Sequence, residues 1–121
     1  EEIQAGKIEH FEKVYTDCYE EVVKTFSPFP FIRLIPGTVP GTLSQVTSEK
    51  IAFLSIDMNT VAPEIAALNY FWPKLSKGSM IVLDDYAYVT CNLQYEAHNK
   101  WAAEKGIQIL SLPTGQGLII K

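Results

Sequence analysis

Cysteine is scarce in this sequence: Cys18 and Cys91 are the two among 121 residues. They lie far apart and outside any CxxC pattern, so two reduced thiols in a cytoplasmic protein are expected. Positive charge is also short, with 10 Lys and Arg against 14 Asp and Glu and a net charge of −4. No basic cluster forms, which removes nucleic acid from the expected partners. No apolar run approaches the roughly 18 residues of a membrane span, and no signal peptide is evident. Histidine is limited to His10 and His98. His10 belongs to a surface helix and receives no role, while His98 reads as a solvated or partly packed helix residue rather than a base. There is no GxGxxG-like segment. The closest approach, Thr114-Gly115-Gln116-Gly117, lacks the Lys-Ser/Thr of a phosphate loop and opens no helix, so it reads as a hairpin turn.

What is present is enough for one domain over residues 1–121, with 47% hydrophobic residues to build a core and 20% charged. The chain opens on Glu1 and closes on Ile120-Lys121, and we expect it to be a piece of something longer.

The organising stretch runs from Ile51 to Tyr86. An apolar strand ends in an acid (Ile51 to Asp57), a helix follows, and a second apolar strand ends in two acids (Ser79 to Asp85). Near-continuous apolar strands of this kind predict parallel pairing with cover on both faces. Pro63 suits the first turn of the intervening helix and Lys77-Gly78 its stop. A strand-helix-strand crossover puts both carboxyl ends on one edge, where open α/β sheets bind ligands. Asp57, Asn59, Asp84 and Asp85 would come to that edge, and if the two strands are neighbours the carboxylates start about 5 Å apart.

Ahead of this unit, Ile8, Phe11, Tyr15, Cys18, Val22 and Phe26 fall at helical spacing and predict an amphipathic helix ended by Ser27-Pro28-Phe29-Pro30. Phe31 to Ile35 predicts a short strand, Pro36 to Gly41 a loop, and Thr42 to Lys50 a polar segment with a helical turn. Behind it, a helix from Leu93 to Lys105 is closed by Gly106. Strands follow at Ile107 to Leu112 and Gly117 to Lys121, joined so tightly that they must pair antiparallel. The fold class is α/β: a mostly parallel sheet with an antiparallel C-terminal hairpin.

An isolated acid such as Asp57 at a strand end either caps the next helix or meets a partner. Asp84-Asp85 after Met80-Ile81-Val82-Leu83 favours the second, because adjacent carboxylates repel unless a positive charge is near. Oxygen donors on one edge suit Mg²⁺, and Asn59 could add an amide oxygen. Tyr70, Phe71 and Trp72 are expected in the core. Tyr86 and Tyr88 either line a pocket or pack on the sheet.

These motifs together resemble the macrocin-type (TylF-like) O-methyltransferases, a Rossmann-like family that uses S-adenosylmethionine to methylate sugar hydroxyls of antibiotics and related acceptors. The family pattern is a strand ending Asp-Gly-Asp, a helix leading to Pro-Lys-Leu-x-x-Gly-Gly, and a strand ending Asp-Asp-Tyr. Here it reads Ile56-Asp57-Met58-Asn59, Pro73-Lys74-Leu75-Ser76-Lys77-Gly78-Ser79 and Val82-Leu83-Asp84-Asp85-Tyr86. Phe31 to Leu43 resembles the family's third strand and its turn. The resemblance implies Asp57, Asp84 and Asp85 as Mg²⁺ ligands that hold a small-molecule hydroxyl acceptor. It also implies that Asn59 stands at the catalytic position of the family's second motif Asp, where an amide cannot act as base.

The resemblance covers only the later part of the family fold, so the N-terminal strands with the glycine-rich turn and the ribose-binding acid are expected to be missing. The chain alone is then an inactive fragment, and its exposed strand edges invite a homodimer, which a monomeric mass in light scattering would exclude. A non-catalytic α/β module with helix-capping acids is the alternative. A degraded DxD of a glycosyltransferase in Asp57-Met58-Asn59 leaves Asp84-Asp85 and the hairpin unaccounted for.

Overall fold

The computed structural model describes residues 16–121. It divides into two compact units, Glu1–Pro36 and Gly37–Lys121. Within the described part of the first unit, helix α1 spans Tyr19–Phe26, with Glu20 and Glu21 in its first turn and Lys24 in its last. That charge order complements the helix dipole. The expected helical stretch from Ile8 to Tyr15 lies outside the described residues. Phe31 to Ile35, predicted as a strand and matched to the family's third, is irregular instead, and Phe31 is 83% exposed. A β-prone run makes a strand only beside a partner, and the prolines at 28, 30 and 36 remove donors on both sides of it.

The second unit begins with a 3₁₀ turn, Leu43–Gln45, as expected of the polar segment, and Leu43 is buried. Strand β1 (Ile51–Ile56), helix α2 (Val61–Phe71) and strand β2 (Leu75–Leu83) form the strand-helix-strand unit. Helix α3 (Asn92–Lys105) and the short strands β3 (Leu110–Ser111) and β4 (Gly117–Ile120) complete it. The sheet order is β1-β2-β4-β3; β1 and β2 are parallel, and both contacts of β4 are antiparallel. The sheet is therefore mixed, and the C-terminal hairpin forms as the sequence predicts.

Several boundaries move: α1 starts at Tyr19 although the predicted stripe includes Cys18, β3 keeps only Leu110–Ser111 of the expected Ile107 to Leu112, and the largest changes are in α2 and β2. Helix α2 stops at Phe71, not at Lys77-Gly78, and Trp72–Lys74 continues as a 3₁₀ turn. Pro73 has no N–H for the next helical bond, so the α-helix cannot pass it. Strand β2 starts at Leu75 rather than Ser79 and absorbs the expected stop residues as a bulge. Ile51 sits beside Leu75 but Phe53 beside Met80, so two steps along β1 match five along β2, three extra residues. Gly78, at φ +81°, takes the left-handed corner of that bulge, and its N–H reaches Lys121 C=O at 2.6 Å.

Helix α3 ends as its sequence dictates. Gly106 is left-handed (φ 67°), its N–H donates to Ala103 C=O, and the Ile107 N–H donates to Ala102 C=O. Those two bonds are a Schellman closure.

The core lies between the sheet and the two helices. Leu68, Ile81 and Leu83 are fully buried, with Ile56, Ala67, Phe71, Trp101 and Ile119 around them. Trp101 packs edge-on to Trp72 at 5.2 Å and donates its indole N–H to Asn69 Oδ1 at 3.0 Å. The other sheet face differs from the expected double cover: Phe53, Met80 and Ile120, aligned by register, are all exposed. No helix among the described residues is long and apolar enough to cross a membrane.

Candidate active site

The acids emerge where the parallel ladder ends. Ile56 lies beside Leu83, and the Asp84 N–H donates to Ile56 C=O at 2.9 Å, one residue past the end of β2. Asp57 and Asp84 thus leave neighbouring strands side by side, and Asp85 follows. Asn59, two residues after Asp57, has φ 57°. Asparagine tolerates this left-handed backbone better than most side chains.

None of these acids caps a helix. The N-cap of α2 is Thr60 and that of α3 is Cys91, and neither end has a side-chain capping bond. The capping alternative for Asp57 and for Asp84-Asp85 therefore has no counterpart in the fold.

Electrostatically the edge is strained. Burial raises the Asp57 carboxyl above its ordinary value of 3.8, and the charges of Asp84 and Glu64 add to the rise. Burial likewise raises Asp85, reinforced by Glu64, Asp57 and Asp84, while a hydrogen bond from the Cys91 thiol works the other way. Asp85 Oδ2 is buried with no hydrogen-bond partner. Repelling carboxylates and an orphaned oxygen are what a hard cation would relieve, so the donor chemistry fits Mg²⁺. The side chains are not drawn tightly together: among the described residues no group of three or more His, Cys, Asp or Glu is poised to hold a metal ion.

A pH dependence follows from these shifts. For a carboxyl raised above 3.8 in the fold, the native state holds more protons than the unfolded chain between that value and the raised one. Stability then falls as pH climbs through this window, and the penalty is complete at neutral pH. Asp85→Asn is expected to be more stable than the parent at pH 7, with the difference shrinking as the pH drops through the raised value and gone below about 3.8. Urea midpoints at the two pH values measure it, and an equal gap at both would exclude the effect.

Near the acids, Glu64 and Gln116 escape sequence reading and His98 departs from it. Glu64 and His98, both buried at 1%, meet at 3.1 Å between Oε2 and Nε2, a distance without hydrogen-bond alignment. His98 is thus neither solvated nor partly packed. Gln116, in the hairpin turn, donates from Nε2 to Asp84 Oδ1 at 2.6 Å. The signal for Glu64 was its place in the buried stripe of α2 (64, 67, 68, 71); no comparable signal marks Gln116.

Tyr86 packs inward rather than lining a pocket. Its hydroxyl donates to Asn99 Oδ1 at 2.9 Å, and its ring lies 5.0 Å from Tyr95. A Cβ on Gly117 would stand 2.7 Å from Tyr86 Cγ, so only glycine lets β4 pass beneath the ring. Tyr88 is 60% exposed. Tyr70, Phe71 and Trp72 join the core as expected.

Known proteins share this fold. The fold matches the structure of the O-methyltransferase NovP with a TM-score of 0.71 at 21% identity, over 84% of this chain and 44% of that one. The mycinamicin III 3''-O-methyltransferase of Micromonospora griseorubida is 28% identical over 76 residues, 63% of this chain and 29% of that protein. The 8-demethyl-8-(2,3-dimethoxy-alpha-L-rhamnosyl)-tetracenomycin-C 4'-O-methyltransferase of Streptomyces olivaceus is 30% identical over 60 residues, 50% of this chain and 23% of that protein. The chain thus spans under a third of the length of either curated relative. The profile of the macrocin O-methyltransferase (TylF) family matches residues 4–109, most of the sequence, and the chain belongs to that family.

Proposed function

We propose that these residues serve an S-adenosylmethionine-dependent, magnesium-assisted O-methyltransferase acting on a small-molecule hydroxyl, a sugar hydroxyl first of all. The observation that carries the reading is the pairing of Asp57 and Asp84 at adjacent ends of parallel strands, followed by Asp85 with its orphaned oxygen. The names of the two relatives, one a 3''-O- and the other a 4'-O-methyltransferase, support a hydroxyl oxygen as the acceptor.

When bound, the cofactor supplies an electrophilic methyl group on a sulfonium, and Mg²⁺ lowers the pKa of the acceptor hydroxyl. Asp57, Asp84 and Asp85 would hold the cation, whose charge would offset their mutual repulsion and help orient the acceptor hydroxyl. Asn59 can hydrogen-bond that oxygen, but its amide takes up no proton, so the hydroxyl proton leaves to a group other than residue 59.

The sequence offers no glycine-rich GxGxxG cradle, so turnover by this chain alone is expected to be undetectable while cation binding persists. A calorimetric titration with S-adenosylmethionine, with and without Mg²⁺, tests the reading. A Mg²⁺ heat that disappears in the Asp84→Asn/Asp85→Asn variant supports it. No heat for either ligand would sink it.

A further inference from the structure

The turn between β3 and β4 reads in the sequence as a simple reversal, yet it is built against the acids. Gln116 Nε2 donates to Asp84 Oδ1 at 2.6 Å, and the Thr114 hydroxyl donates to Gln116 Oε1 at 3.0 Å. The second bond fixes which way the amide faces, since an amide whose oxygen accepts from Thr114 must turn its NH₂ toward the carboxylate. The backbone adds a separate anchor: the Ala87 N–H donates to Gly115 C=O at 2.6 Å. The turn closes on itself through Gly115 N–H to Leu112 C=O and Leu112 N–H to Gln116 C=O, at 3.0 and 2.8 Å. Thr114, Gln116 and Asp84 therefore form a directed chain on a rigid base, tied to the acid loop at two points.

We propose that Gln116 is a positioning residue for cation binding: it occupies Oδ1 of Asp84 and turns Oδ2 toward the ligand, with Thr114 setting the amide. The proposal rests on the magnesium-assisted reading above. A carboxylate free to rotate loses entropy on ligation, whereas one already hydrogen-bonded does not, and partners of this kind are typically worth about 10-fold or more in metal affinity. The alternative is a turn that packs the hairpin and has no bearing on the cation.

The test uses Mn²⁺ as probe, read by the electron paramagnetic resonance of the free ion, on the parent chain and three variants. Gln116→Leu is expected to weaken Mn²⁺ binding about 10-fold. Thr114→Val should weaken it less, and Thr114→Ser should restore parental affinity. In the metal-free protein, the Gln116 side-chain amide resonances should shift on Asp84→Asn, a readout that does not depend on the cation. Parental Mn²⁺ affinity in Gln116→Leu, or an unmoved amide resonance, would overturn the brace while leaving the cation reading intact. A parent chain that binds no Mn²⁺ would overturn both. Should Gln116→Leu not fold, the Thr114 pair decides: equal affinity in Thr114→Val and the parent rejects the proposal.

Discussion

Replacing His98 with leucine is expected to destabilise the fold by about 1–3 kcal/mol, the cost of leaving a buried polar group without its neighbouring partner. The residue is 1% exposed, and its Nε2 lies 3.1 Å from Glu64 Oε2. Take it away and a carboxylate stays in the interior between two helices with nothing to meet it. Glu64 Oε1 already lacks a partner, as does the amide of the buried Gln94, one helical turn before His98. The double variant Glu64→Leu/His98→Leu should recover most of the loss, because replacing both members with apolar groups of similar volume is often close to neutral. A thermodynamic cycle in urea measures the coupling. Single variants whose losses simply add would show that the two side chains do not act as a pair.

The second large effect is expected at Leu68. It is fully buried in the middle of α2. Leu68→Ala removes its side-chain contacts and leaves a void that close-packed neighbours fill only partly, for about 2–5 kcal/mol. Leu110→Ala is the matched comparison, since Leu110 is 61% exposed and its loss should stay within about 0.5 kcal/mol. Both are read as urea midpoints at constant slope. Equal losses at the two positions would mean that α2 does not pack on the sheet as described. Against the roughly 5–15 kcal/mol that a small domain has in total, either His98→Leu or Leu68→Ala removes a large share.

How legible was all this beforehand? The apolar runs 51–56 and 80–83 announced β1 and the end of β2, because short runs rich in Ile, Val, Leu and Phe favour a strand even where, as in the edge strand β1, one face stays open. Gly106 announced the end of α3, since few other residues take the left-handed backbone of that closure. Crossover topology put Asp57 and Asp84 on one edge, and the pairing of β1 with β2 makes them neighbours. What failed was whatever depended on neighbours far along the chain. Phe31 to Ile35 has strand propensity but pairs with no strand among the described residues, and propensity without a ladder forms nothing.

Lys77-Gly78 looks like a helix stop, yet Pro73 had already ended the helix, and the glycine was needed for a bulge. Glu64 reads as an ordinary first-turn acid because its sign suits the helix dipole. Only its alignment with Ala67, Leu68 and Phe71 betrays that it faces inward. Gln94 and His98 share the same fate beside Trp101 and Ala102. Gln116 was hidden for a different reason: its partner lies 32 residues away, and nothing in a glycine turn says what it leans on.

The bulge in β2 uncouples two lengths that would otherwise be locked together. Between Leu75 and Gly78 the strand carries the extra residues, Gly78 and Ser79 are bonded to Lys121, and from Met80 to Leu83 it keeps step with both β1 and β4. A residue gained or lost near Ser76-Lys77 can therefore be taken up before Met80, much as a loop of loose cable absorbs a pull. The carboxylates beyond Leu83 hold their station while the junction between helix and strand is free to vary in length.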